Sequence, residues 1–142
     1  MNAPTTAGFD AALQTLPYAR FLGLRGEIVE DGARLILPYK DDLIGNPAVP
    51  ALHGGAIGAF LEMAALVQIS LLRRGEGRVT YPKTIDITID YLRPGRPAET
   101  YAQASVTKLG RRIAHARAEA WQRDRRQPIA VLHGNFLIER DG

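Results

Sequence analysis

Hydrophobic residues fall along this chain in two rhythms, and the change of rhythm marks its elements. From Gly54 to Leu72 the chain is almost continuously apolar, with Glu62 as its one ionisable residue. That length and density predict one long buried helix, stopped by Arg73-Arg74-Gly75. After it the period drops to two. Over Thr84–Leu92, Ile85, Ile87, Ile89 and Tyr91 alternate with Thr84, Asp86, Thr88 and Asp90. Tyr101–Leu109 sets Ala102, Ala104 and Val106 on one face, and Ile113–Trp121 sets Ala114, Ala116, Ala118 and Ala120 against His115, Arg117 and Glu119. Ile129–Ile138 reads as a last strand, with turns at Arg93–Pro97, Gly110-Arg111 and Asp124–Arg126. Before the long helix, residues 9–22 read as a short amphipathic helix broken at Pro17. Leu24–Glu30 and Ala33–Pro38 flank Asp31-Gly32, a two-residue hairpin signal, and residues 39–52 read as a loop punctuated by Gly45-Asn46-Pro47 and Pro50.

Two strands, one helix, then a run of strands predicts an α+β domain, with a curved antiparallel sheet wrapped around a single apolar helix. The alanine-rich faces of the later strands let something approach closely, either the helix or a second subunit. With 142 residues and no repeat, low-complexity tract or linker, the chain reads as one domain over 1–142. Cysteine is absent, which excludes disulfides and thiolate metal sites and fits a reducing cytoplasm. The first residues have neither the basic start nor the apolar stretch of a signal peptide. Residues 54–72 are long enough to span a membrane, but a mid-span carboxylate argues against it, and the amphipathic strands need a helix to cover them. A net charge of +3, with scattered arginines and no aromatic ladder, suits a polyanionic small molecule better than nucleic acid.

The chemistry gathers at the start of the long helix, where Leu52-His53-Gly54-Gly55 stands. The first N–H groups of a helix lack intrahelical partners, and the dipole makes that end positive. Glycines there either ease a tight turn or leave the N–H groups open to an anion or a carbonyl developing negative charge. Burying Glu62 among Phe60, Leu61, Met63 and Leu66 is costly unless it is paired or solvated. It is therefore a carboxylate at a helix edge, one capped by an arginine from a strand, or a nucleophile or general base facing a pocket. Gly54 and Glu62 are eight residues apart, about 12 Å along a helix axis. One chain's Gly54 N–H and its own Glu62 thus do not reach the same carbonyl. Two antiparallel helices from two chains bring Gly54 of one near Glu62 of the other, which predicts two composite sites about a two-fold axis.

Taken together, Asn46, His53-Gly54-Gly55, Leu61-Glu62-Met63-Ala64-Ala65 and Asp90-Tyr91-Leu92-Arg93-Pro94 resemble the hotdog-fold acyl-CoA thioesterases. The similarity covers about residues 20–138 and is closest to the PaaI-like (phenylacetate-degradation) subgroup, which includes 4-hydroxybenzoyl-CoA thioesterases. It implies that the Gly54 N–H, with Gly55 beside it, polarises a thioester carbonyl. Glu62 of the partner subunit attacks that carbonyl or activates water. Asn46 orients the thioester or the water, His53 positions the loop, and Thr84 holds the water. Asn46 lies one residue further from His53 than the family pattern has it, because of Pro47–Pro50. The resemblance implies an aromatic or medium-chain acyl-CoA substrate, no cofactor beyond the coenzyme A the substrate brings, and a homodimer or homotetramer. Arg93, Arg96, Arg111 and Arg112 are candidates for the coenzyme A phosphates, because arginine forks suit phosphate.

Other residues read as structural. His115 alternates with alanines, His133-Gly134 precedes no helix, and three separated histidines make no metal site. Trp121 reads as packing, and Ser70 and Ser105 lack a nucleophile-elbow context. Two other functions fit the same scaffold. A hydratase or dehydratase needs a histidine base where Asn46 stands, and amide nitrogen takes no proton at neutral pH. A non-catalytic acyl-CoA-binding protein has no need of Glu62.

Overall fold

The computed structural model describes residues 3–73 and 81–139. Helix α1 (Thr6–Leu13) is capped by the Thr5 hydroxyl, which accepts the Gly8 N–H. Helix α2 (Pro17–Leu22) takes Pro17 into its first turn, where the missing N–H costs nothing, and ends on Gly23 in the left-handed region at φ 74°. The break expected at Pro17 within 9–22 divides two helices, the first of which begins at Thr6. Strands β1 (Arg25–Val29) and β2 (Gly32–Leu37) pair with Val29 opposite Gly32. The hairpin loop is therefore Glu30-Asp31, one residue earlier than the Asp31-Gly32 signal implied. Gly32 opens β2 at φ 141°, and a Cβ there would lie 2.9 Å from the Gln68 amide oxygen.

Residues 39–52 are more than a loop. A 3-10 turn (Asp41–Leu43) leads into β3 (Ile44–Asn46), which pairs with β4 (Ala51–Leu52) as a small separate hairpin. Such short strands carry too little alternation to register as a period. Helix α3 (Gly54–Arg73) follows; Arg74 and Gly75, the rest of the expected stop, lie outside the described residues. Then come β5 (Lys83–Tyr91), β6 (Thr100–Leu109), β7 (Ile113–Trp121) and β8 (Ala130–Leu137).

These strands form a six-stranded antiparallel sheet in the order β1-β2-β6-β7-β8-β5. α3 crosses one face of it, packing chiefly on β6 and β7. Phe60, Leu61, Ala64, Ala65, Val67 and Ile69 of the helix bury against Ala102, Ala104, Ala114, Ala116, Ala118 and Ala120 of those strands. The small-residue face thus serves the chain's own helix. Each large side chain so buried contributes about 1.5–3 kcal/mol, and the alanines opposite leave room for it. α3 is long and apolar enough to cross a membrane, yet 61% of its most apolar stretch is buried in the protein, as suits a core helix. Its buried Gln68 accepts the Ala33 N–H at 3.0 Å, so this polar residue ties the helix to the hairpin. β5 is the exception to the clean alternation. It is a sheet edge with a bulge between Thr84 and Asp86, and its Ile85 and Tyr91 are about half exposed.

Candidate active site

The start of α3 is held from three sides. The Leu52 N–H donates to the Gly95 carbonyl at 2.9 Å and the His53 N–H to the Leu43 carbonyl at 2.7 Å. The Tyr91 hydroxyl donates to the Gly54 carbonyl at 2.6 Å. The His53 carbonyl accepts the Ala56 and Ile57 N–H groups, and its Nδ1 accepts the Gly55 N–H at 2.9 Å. His53 therefore caps the helix, its carbonyl and its Nδ1 both accepting N–H groups of the first turn. Among the described residues no group accepts the Gly54 N–H. It is the one donor of this turn left for a ligand. Gly54 lines a cleft of about 350 Å³ with Leu52, Ile57, Tyr91, Leu92 and Arg93.

Glu62 lies on the same unbroken helix, eight residues on, so about 12 Å separates it from Gly54 along the axis. It is half-buried. The Thr84 hydroxyl donates to its Oε2 at 2.7 Å. Among the described residues Glu62 has no cationic partner and no group bonded to Oε1. An arginine cap, one of the readings open from the sequence, is thus absent among them. What remains is a carboxylate aimed by a hydroxyl with one oxygen available.

The structure brings some expected residues together and keeps others apart. Glu62 and Thr84 meet, and Gly54, Gly55 and His53 form one turn. Asn46 is exposed at the tip of the β3–β4 hairpin, where its Oδ1 accepts the Ala48 N–H at 3.1 Å. The longer Pro47–Pro50 segment is what that Asx turn closes. Arg93 lines the Gly54 cleft and donates to Gln127 at 3.3 Å, and Arg96 stands in the same turn. Arg111 and Arg112 lie at the opposite end of α3, in the β6–β7 turn, whose Gly110 carbonyl accepts from Arg73 at 3.5 Å.

Two features escaped the sequence reading. Tyr91 belongs by alternation to the apolar face of β5, and its bond to Gly54 spans 37 residues. Lys108 and His115 share a cleft with Arg111 and Arg112, because β6 and β7 pair them directly. Only the strand register could have revealed either. Trp121, expected as packing, is almost fully buried and has the Arg34 and Arg125 guanidinium groups 5.7 and 4.7 Å from its ring centre. At Gly134 a Cβ would meet the Asp86 carbonyl at 3.0 Å and Ile87 at 2.9 Å, a close crossing of β8 with β5. Among the described residues no group of three or more acidic, histidine or cysteine side chains could hold a metal.

Residues 50–129, from the segment before α3 to that before β8, match the model of the family described as "Thioesterase superfamily". The chain belongs to the thioesterase superfamily. Thioesterase-superfamily membership brings the hotdog fold, which the α3-wrapping sheet displays. The chain is 37% identical over 134 residues to the Salmonella typhimurium medium/long-chain acyl-CoA thioesterase YigI, covering 87% of this chain and 86% of that one. A solved Chromobacterium violaceum structure is 38% identical, with a TM-score of 0.72 over 94% of this chain and 91% of the other. The Escherichia coli PaaI protein of the phenylacetic acid degradation operon superposes with a TM-score of 0.75 over 92% and 89% of the two chains. At 20% identity that likeness concerns the fold alone.

Proposed function

We propose that this protein hydrolyses acyl-coenzyme A thioesters at two composite sites of a homodimer, with medium- or long-chain acyl groups as its substrates. One observation carries the reading. Among the described residues, a Thr84-oriented carboxylate without a cation and an undonated Gly54 N–H sit on one helix, too far apart to share a carbonyl. An antiparallel partner helix closes that gap. β5 supports it, as a nine-residue strand on the sheet's open edge with exposed Ile85 and Tyr91 nearby. Such an edge is a template for pairing with a second copy. The 37% identical relative named a medium/long-chain acyl-CoA thioesterase supports the acyl class over an aromatic one.

In each site the Gly54 N–H of one subunit, at the positive end of α3, stabilises the oxyanion that forms on the thioester carbonyl. His53 keeps the Gly55 N–H occupied and the turn rigid. Glu62 of the other subunit supplies the base or the nucleophile. As a base it takes a proton from water while the oxygen attacks; the C–S bond breaks and the proton passes to the departing thiolate. As a nucleophile it forms a mixed anhydride, releases the thiolate, and water then hydrolyses the anhydride. Thr84 aims the carboxylate or the water, and Asn46 orients the incoming thioester from the hairpin tip. Arg93 and Arg96 of one subunit and Arg111 and Arg112 of the other flank the site and receive the phosphates. The enzyme requires no cofactor or metal, works in the cytoplasm, and assembles as a dimer of dimers.

Release of free thiol from a panel of straight-chain and aromatic acyl-CoAs tests the activity directly. Glu62→Gln is expected to lose about 100-fold or more in kcat with its melting temperature preserved; wild-type turnover in that variant would remove Glu62 from the mechanism. Binding without hydrolysis across the panel would make the protein an acyl-CoA-binding module. Label found in Glu62 after single turnover in ¹⁸O-water identifies the anhydride route with water attacking the Glu62 carbonyl.

A further inference from the structure

We infer that the β1 edge of the sheet is a second strand-pairing surface for another copy of this chain, and that α1 keeps it shut by standing in for a neighbouring strand. Assembly through the sheet is thereby confined to the β5 edge. The inference takes the pairing of β5 from the functional reading above and adds what stops the assembly from growing at the other side.

β1 and β5 are the two edges of the six-stranded sheet. An edge strand turns alternate backbone groups away from its one partner, where they can pair with another chain. On β1 these groups are taken in order by side chains of α1 and its C-cap. The Thr6 hydroxyl accepts the Ile28 N–H at 3.0 Å. Asp10 Oδ1 accepts the Gly26 N–H at 2.9 Å. The Gln14 amide donates to the carbonyl of Leu24, the residue before β1, at 2.8 Å, and lies 3.5 Å from the same Asp10 oxygen.

The match follows from two pitches. Thr6, Asp10 and Gln14 recur every fourth residue, about 6 Å apart along a helix. Ile28, Gly26 and Leu24 recur every second residue, about 6.6 Å apart along a strand. A helix running antiparallel to the strand therefore keeps one polar stripe in register with alternate backbone groups. Apolar contacts hold the helix in place. Leu13 is fully buried, and Phe9 packs against the core and covers Gly26, where a Cβ would overlap its ring. β5 is treated differently. Among the described residues no group outside the β5–β8 ladder accepts an N–H of β5. One sheet thus has one edge filled and one edge open. Pairing at β5 alone closes when two copies meet about a two-fold axis. Pairing at both edges would add copies end to end without closing.

Amide exchange and solution mass test this with the chain intact, and neither depends on thioester hydrolysis. Thr6→Ala/Asp10→Ala/Gln14→Ala removes the polar stripe and leaves Phe9 and Leu13 in place. In this variant the Gly26 and Ile28 amides should exchange about tenfold faster than in wild type. Light scattering should show a mass that grows with protein concentration, where the wild-type mass stays constant. Adding Ile28→Pro removes one outward N–H at an edge position that tolerates proline, and should return the mass to that of wild type. A stripe variant that keeps the wild-type mass at every concentration would overturn the inference. So would growth that survives Ile28→Pro, since strand pairing could not then be its cause. If the stripe variant does not fold, Asp10→Asn and Asp10→Ala decide. The asparagine keeps an oxygen acceptor and should leave Gly26 exchange as in wild type, whereas the alanine should speed it about tenfold. Equal Gly26 exchange in those two variants would remove Asp10 as a guard and overturn the inference. A one-chain wild-type mass would overturn the composite-site reading instead, with the β1 guard still decided by whether the variants gain mass.

Discussion

Glu62 is tolerated in an apolar helix because it is only half-buried and has a hydroxyl donor. The Thr84 bond at 2.7 Å orients it without neutralising it. A cation would have stabilised the carboxylate and lowered its basicity and nucleophilicity. Tyr91 makes the complementary choice at the other end of the helix, where it holds the backbone and leaves the Gly54 N–H free. Tyr91→Phe removes that hydroxyl while keeping the ring. Its expected effect is a drop of about five- to tenfold in kcat, since a loosened oxyanion donor is worth about 1–1.5 kcal/mol at a hydrogen bond's usual net value. KM for the acyl-CoA should change less than twofold. Steady-state kinetics that show the loss in KM alone would make Tyr91 part of substrate binding instead.

Each element is tuned to bring α3 against the sheet without crowding it. Alanines on β6 and β7 accept the large side chains of the helix, and Gly134 lets β8 pass close to β5. A Cβ at Gly134 would lie against the Asp86 backbone carbonyl, which cannot move aside as a side-chain tip can. Gly134→Ala is therefore expected to destabilise the fold by about 1–3 kcal/mol, read as a lower midpoint in urea unfolding. β5 carries Thr84 near one end and Tyr91 at the other, so displacing this strand should disturb both halves of the chemistry. An unfolding midpoint equal to wild type would mean that β5 and β8 have slack which the packing does not suggest.

At the scale of the whole molecule, one chain holds two half-sites. Gly54→Pro removes the N–H at the first helical position, where proline is tolerated, and Glu62→Gln removes the carboxylate. Each variant alone should be nearly inactive. A refolded equal mixture should recover about a quarter of wild-type activity, because half the dimers are then mixed and each mixed dimer has one intact site. No recovery, with mixed dimers demonstrated by mass spectrometry, would place both groups in a single-chain site and overturn the composite arrangement. The open β5 edge and the half-exposed Ile85, Tyr91 and Leu92 are the surfaces on which the partner is expected.

Periodicity alone determined the long helix, the four strands after it and the hairpin before it, because burial on one face writes a period of two or a dense apolar run directly into the residues. Spacing along one helix also determined that Gly54 and Glu62 are separate, since helical rise per residue is constant. Thr84 at Glu62, Tyr91 at Gly54 and Lys108 beside the paired turn arginines were decided by tertiary structure. Those contacts depend on strand order, and β5 pairs with β8 rather than with its neighbour in sequence. The Glu30-Asp31 loop and the β3–β4 hairpin were decided there too. Turn register depends on which residues meet across the strands, and no local pattern carries that information.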